Sequence, residues 1–251
     1  LQGEFTELFK TESAVTAEQV LKGIESASNV LTTDEVVEKV LKDLDFKGWS
    51  VLINPTEEAL EKIYADGTRA ALAQISFDAT DGMTSFLNER ASAYAAERAA
   101  DLVGMKNIGT KEIPHWIENP NREYAITDTT RDMLRSTIKD SIDKGYSTDK
   151  LKQEIIDNHG FSEDRADMIA RTETAFADIQ GNMEAYRASG VVDGKEWILG
   201  SEHDDDDECD DNVADGVIAL EDSFSSGDDC PPAHPNCTCD VLPVVMELEG
   251  G

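Results

Sequence analysis

Aromatic side chains make up only 6% of the 251 residues, so any core must be built from Leu, Ile, Val and Ala. Basic residues are scarce too: 22 Lys and Arg stand against 53 Asp and Glu, a net charge of −31. A surface this acidic repels phosphate, which argues against broad nucleic-acid binding, so that no direct sequence-specific contact with nucleic acid is expected, and against docking on an anionic membrane. It suits a basic protein partner, bound cations or high salt; a halophilic source and a merely acidic mesophile both fit it. No apolar run approaches the ~20 residues of a membrane-spanning helix. The opening LQGEFTELFK has neither an apolar core nor a basic prefix, so it is not read as a signal sequence. A Gly-rich phosphate loop, His-Glu-x-x-His and Gly-x-Ser-x-Gly are all missing, and no enzyme is expected.

Cysteine is scarce and unevenly placed. All 4 lie near the C-terminal end: Cys209, Cys230, Cys237 and Cys239. Three of them share the run Cys-Pro-Pro-Ala-His-Pro-Asn-Cys-Thr-Cys with His234. A disulfide framework would be spread along a small chain; thiols and an imidazole this close are a typical zinc ligand set. Pro231, Pro232 and Pro235 remove backbone donors and fix φ, so the run is a stiff loop.

The first hundred residues read as helices. Thr16-Ala17-Glu18-Gln19 and Thr32-Thr33-Asp34-Glu35 look like capping boxes, each followed by apolar positions, Val20, Leu21, Ile24, Val30 and Leu31 after the first. Pro55-Thr56 restarts a helix, and another runs from Met83 towards Val103 with Gly104 as its end cap. Met105 to Ala125 reads as an irregular linker. Helices resume at Thr127 to Lys144, after a cap at Ser147 or Thr148, and from Ser162 to Gly190. On the last, Ile169, Glu173, Phe176, Gln180, Met183 and Arg187 share a face, so the carboxylate of Glu173 needs a partner, and Arg165 is the candidate. Arg171 and Asn182 lie on the opposite face. Val191 to Leu199 then reads as a hairpin with an Asp-Gly turn, Gly216 to Leu220 as a strand, and Cys239 to Met246 as an edge strand broken by Pro243. The expected class is α+β: a helical arm over 1–105, a linker over 106–126, and a domain over 127–251 whose helices lead into a small sheet.

Several of these residues come in a characteristic order: Ala170-Arg171-Thr172-Glu173-Thr174, Asn182, Tyr186 to Val191, Lys195 and Trp197, then Pro232-Ala233-His234-Pro235-Asn236-Cys237-Thr238-Cys239. From roughly Thr127 to Val245 the chain resembles the phage Mu F-like family of minor head proteins, also called head morphogenesis proteins. The resemblance implies a low-copy virion component of a tailed virus, inside the capsid near the portal vertex. It implies the portal protein, and the major capsid protein, as partners, and a role in head assembly or in genome packaging or ejection. It marks Arg171, Glu173, Asn182, Lys195 and Trp197 as structural motif residues. The family often carries Cys-x-x-Cys before the proline-rich run, whereas this chain has only Cys209 there. Asp206 or Asn212 then occupies the other position, and Cys230 is placed to supply the missing thiolate. Four structural zinc ligands are therefore drawn from Cys209, Cys230, His234, Cys237 and Cys239. Two other readings compete: a zinc-stapled binding module that never enters particles, and a metal-dependent nuclease using His234 and the acidic run.

Overall fold

Helix ends follow local capping chemistry through much of the chain. The structure is a computed structural model describing residues 1–27, 31–110, 113–122, 125–201, 203 and 208–245. Val30, Asp206, Met246 and positions 111–112 and 123–124 of the expected linker lie outside these residues. Helix α2 (Thr33–Asp43) starts on a complete capping box, with Glu35 N donating to Thr32 Oγ1 and Thr32 N donating to Glu35 Oε2. Helix α6 (Thr148–Ile156) is capped by Ser147, whose hydroxyl accepts from Lys150 N. Helices α4 (Asp81–Leu102), α5 (Ile126–Asp143) and α7 (Glu163–Ser189) are followed by Gly104, Gly145 and Gly190 at φ 73°, 61° and 66°. Glycine adopts that left-handed conformation without a Cβ clash.

The box at Thr16 does not start a helix. Helix α1 (Gln2–Ser26) runs straight through it, and Thr16 is buried in its middle. There the packing of α1 on α6 and α2 outweighs a capping signal of about 1 kcal/mol. Met105 to Ala125 is not wholly irregular either. Strands β1 (Met105–Asn107) and β2 (Trp116–Glu118) form an antiparallel pair, Met105 opposite Glu118.

The chain packs as two compact units, and they do not follow the expected cuts at 105 and 127. One comprises 1–56 and 96–167, the other 57–95 and 168–251. Each unit draws on chain from both sides of the expected linker, because α3 (Ile53–Gln74), α4 and α7 each contain a division point.

In the first unit α1 packs on α6 and α2 on α5. Phe9 meets Trp49 at 5.7 Å and Phe161 edge-on at 6.2 Å. Arg165 is buried here. Its guanidinium donates to Thr130 Oγ1 (2.7 Å), Gly160 O (2.5 Å), Ile126 O (3.0 Å) and Thr129 Oγ1 (2.6 Å), and lies over the Phe9 ring. These partners, hydroxyls and carbonyls, replace the Glu173 pairing expected from the helical period. Burial, with no carboxylate to offset it, lowers the Arg165 pKa to about 10.

The second unit is built on a three-stranded antiparallel sheet, order β4 (Val217–Ala219), β3 (Val192–Ile198), β5 (Asp240–Val245). The expected Asp193-Gly194 hairpin turn is instead the interior of the central strand β3. Gly194 pairs with Ala219 on one side and Val244 on the other, beside a register shift at Asp193. A Cβ at Gly194 would lie 3.0 Å from Ile218 O, so glycine serves close strand approach here, not chain reversal. Pro243 sits on edge strand β5, as expected. Met183, Tyr186, Val192 and Val241 form the core with Ala71, Leu72 and Leu87 of the 57–95 segment.

Helices α3 and α7 cross at glycines. A Cβ on Gly181 would overlap Tyr64 O, and one on Gly67 would sit 2.5 Å from Asp178 O. Thr68 Oγ1 donates to Tyr64 O and to Gly181 O, at 2.9 and 3.2 Å. Gly181→Ala is therefore expected to lower unfolding stability by about 2–3 kcal/mol by overpacking. Gly3→Ala, with nothing within 4 Å of the added carbon, is expected to leave it unchanged or slightly raised. Denaturant unfolding of the two variants measures the contrast.

Candidate metal centre

Two neighbouring features bring the late cysteines together. Helix α8 (Glu208–Ala214) carries Cys209, which is fully buried. The proline-rich run then turns back. Asn236 takes φ 62°, a left-handed conformation Asn tolerates better than most residues, and Cys237 N donates to His234 O at 3.2 Å. Cys209 Sγ lies 3.5 Å from His234 Nε2 and 3.7 Å from Cys237 Sγ. All three donor atoms fall within 4.8 Å of one another.

The imidazole is held in a ligand's orientation. His234 Nδ1 is 2.9 Å from Pro235 O. With Nδ1–H donating to that carbonyl, Nε2 keeps its lone pair, and Nε2 is the atom facing Cys209. Burial, then the neighbouring thiols of Cys237 and Cys239, push the Cys209 pKa up. Burial does the same to Cys237. Both are neutral thiols in the absence of a cation. A soft divalent ion reverses that preference by replacing the protons. Two buried sulfurs and an oriented imidazole fit zinc in both type and spacing.

The remaining candidates divide. Cys239 is buried in the same cluster as Trp197, Cys209, Phe224 and Cys237, outside the group of three donor atoms that lie within 4.8 Å of one another. Cys230 belongs elsewhere. It packs with Met183, Tyr186 and Val192 and accepts from Gln180 Nε2 at 3.4 Å, and burial raises its pKa to about 11. The structure thus separates Cys230 from the other candidates. Its burial is that of a small apolar residue.

The strand behind the cluster carries the Lys-x-Trp pair. Lys195 and Trp197 alternate onto the same face of β3, and both are buried. Trp197 meets Phe224 edge-on at 5.1 Å, and Lys195 Nζ lies 5.6 Å from that ring's centre. Burial lowers the Lys195 pKa. Asn212 of α8 accepts from Ser226 N, tying the helix to the Phe224 loop. Glu173 is buried on α7, Arg171 is exposed, and Asn182 is half-buried beside Gly67.

The knuckle is fastened to α7 by Asn236 N, which donates to Thr172 Oγ1 at 3.1 Å. Thr172 is the middle residue of Ala-Arg-Thr-Glu-Thr. The two most distinctive stretches of the sequence are therefore in direct contact, 64 residues apart. The family model described as Phage Mu protein F like protein matches residues 132–242. Residues 132–242 are a phage Mu F-like segment. No curated protein and no solved structure matches the chain. The Mu F-like segment contains α7, β3, α8 and the whole knuckle, and both of its signature stretches meet at Thr172.

Two positions that matter were not singled out from sequence. Thr172 was legible only as one letter of the helical motif, since its partner is set by the fold. Gly200 follows β3 with no local mark. A Cβ there would overlap Thr238 Oγ1 and the Thr238 carbonyl, so glycine lets the 237–239 chain lie against the end of β3. Gly200→Ala is expected to lower the thermal midpoint and to expose Cys237 and Cys239 to a thiol reagent, at a cost of about 2 kcal/mol. Thr172→Val, which keeps shape but loses the acceptor, is expected to cost about 1 kcal/mol.

Proposed function

We propose that this chain is a minor head protein of a tailed virus, acting in head morphogenesis and associated with the portal. The observation that carries the reading is the Mu F-like match over 132–242, whose helix motif and knuckle are joined by the Thr172–Asn236 hydrogen bond. The setting is the interior of the capsid near the portal vertex, with the portal protein as first partner and the major capsid protein as second. The described helices include none long and apolar enough to cross a membrane. The test is quantitative protein identification on purified particles, with chemical cross-linking. The expected result is this chain at far fewer copies than the major capsid protein, cross-linked to portal subunits. Absence from particles, with recovery only among soluble host proteins, would replace this reading with a free-standing binding module.

The cluster is proposed as a structural zinc site, with Cys209, His234 and Cys237 as ligands and Cys239 beside them as the fourth. Bound there, zinc supplies folding free energy by tying α8 to the knuckle in a region with few apolar contacts. The protein is proposed not to be an enzyme. Cys209, Cys237 and Cys239 are each at most 6% exposed, which leaves their sulfurs closed to a substrate. Elemental analysis of the purified chain is expected to give about one zinc per chain. Cys237→Ser and His234→Ala are expected to lose it, and Cys230→Ser to keep it. A chelator is expected to lower the melting temperature of the wild type and of Cys230→Ser, but not of Cys237→Ser. Equal zinc in wild type and Cys237→Ser would remove the assignment.

A further inference from the structure

The first compact unit contains a cavity of about 590 Å³, and every residue lining it precedes residue 132. It therefore lies outside the Mu F-like match. Its size falls in the range of ligand and peptide clefts. Two features of its wall define what fits.

The first is charge. In a chain with 22 basic residues and 53 acidic ones, four cations line this one cavity: Lys42, Lys47, Arg122 and Arg131. Only two carboxylates, Asp45 and Glu118, line it with them. Arg122 is already held by Asp128 and, at 2.9 Å, by Glu118, and Arg131 by Asp128 and by Leu44 O, lying over the Phe46 ring at 4.7 Å, so Lys42 and Lys47 are the cations open to a further anion. Lys47 faces Asp45 at 3.5 Å in an exposed pair, which a better-placed carboxylate can exchange. Lys42, in the last turn of α2, has no ion pair among the described residues.

The second is a strand edge. All three residues of β2 line the cavity, although Trp116 and Glu118 project to one face of the ribbon and Ile117 to the other. A cavity that touches both faces meets the strand along its edge. The pairs Ile108 N to His115 O and Asn119 N to Gly104 O fix the ladder's phase. Backbone groups of Ile117 therefore point at β1, and those of Trp116 and Glu118 point outward. The sheet has two strands, so that outer edge carries no further strand among the described residues. In the segment joining the two strands, Ile108 and Ile113 are 60% and 77% exposed.

We propose that this cavity binds an extended acidic segment of a partner protein, added as a third strand on β2. Its backbone pairs with Trp116 and Glu118. Its carboxylates meet Lys42 and Lys47, and its alternate apolar side chains rest on Leu44, Phe46 and Trp116. The charge contrast with the rest of the surface selects an acidic segment and orients its approach.

The test uses the full chain and a fluorescent library of peptides about seven residues long, alternating Glu or Asp with Val, Ile or Phe, read by anisotropy. Acidic members are expected to bind, and Lys42→Glu with Lys47→Glu, two exposed positions that leave the core untouched, is expected to weaken them at least about tenfold. N-methylation at alternate peptide amides is expected to abolish binding, while methylation at the intervening amides is tolerated. Amide exchange of Trp116 and Glu118 is expected to slow on binding. The proposal falls if no member binds below about 1 mM. It falls equally if basic counterparts or a single-stranded oligonucleotide bind as well, if N-methylation has no effect, or if the chain self-associates through this face instead. None of these outcomes bears on the zinc site, which lies in the other unit.

Discussion

Three polarisable donor atoms held within 4.8 Å, two of them buried thiols, are the constraint on which the C-terminal part of this chain depends. Thiolates at that spacing would repel in a low-dielectric interior, so the cluster is stable only as neutral thiols or around a cation. The surrounding contacts serve that arrangement. Pro235 orients the imidazole, Asn236 makes the left-handed turn, and Thr172 fastens the turn to α7. Gly200 lets the end of β3 lie against Thr238. Losing any one of them loosens the cluster, because the segment around it has little apolar core beyond Trp197 and Phe224.

The two compact units solve the problem of a core poor in aromatic residues in different ways. The first gathers Phe9, Phe46, Trp49 and Phe161 against one another and adds a buried guanidinium whose donors meet four oxygens. The second relies on close approach. Gly67 and Gly181 let helices meet backbone to backbone, Gly194 does the same between strands, and small residues such as Ala71 and Ala185 fill the remainder. Interiors must be packed to nearly crystalline density, and small side chains reach it by bringing backbones together.

The acidity and the knuckle bear on function at different places. The Mu F-like segment carries the family match and the Cys209–His234–Cys237 cluster. Lys42, Lys47, Arg122 and Arg131 meet beside the β1–β2 ribbon, ahead of that segment.

Much of this was legible in the residues alone. Local chemistry determined the helix at Thr32, the cap at Ser147, the left-handed stops at Gly104, Gly145 and Gly190, and the edge position of Pro243, because each needs only near neighbours in the chain. The clustering of thiols and imidazole pointed to a group of side chains able to hold a metal for the same reason, and the order of motifs pointed to the Mu F-like match over 132–242. Only the tertiary structure decided that Thr16 is mid-helix, that Gly194 lies inside a central strand, and that Arg165 answers to α5 rather than to Glu173. It alone separated Cys230 from Cys209, His234 and Cys237, and cut the compact units across three long helices. These outcomes turn on which surfaces meet. A thiol seven residues from another by count is joined to it or not by the direction each chain takes after a proline, and the packing of distant helices sets that direction.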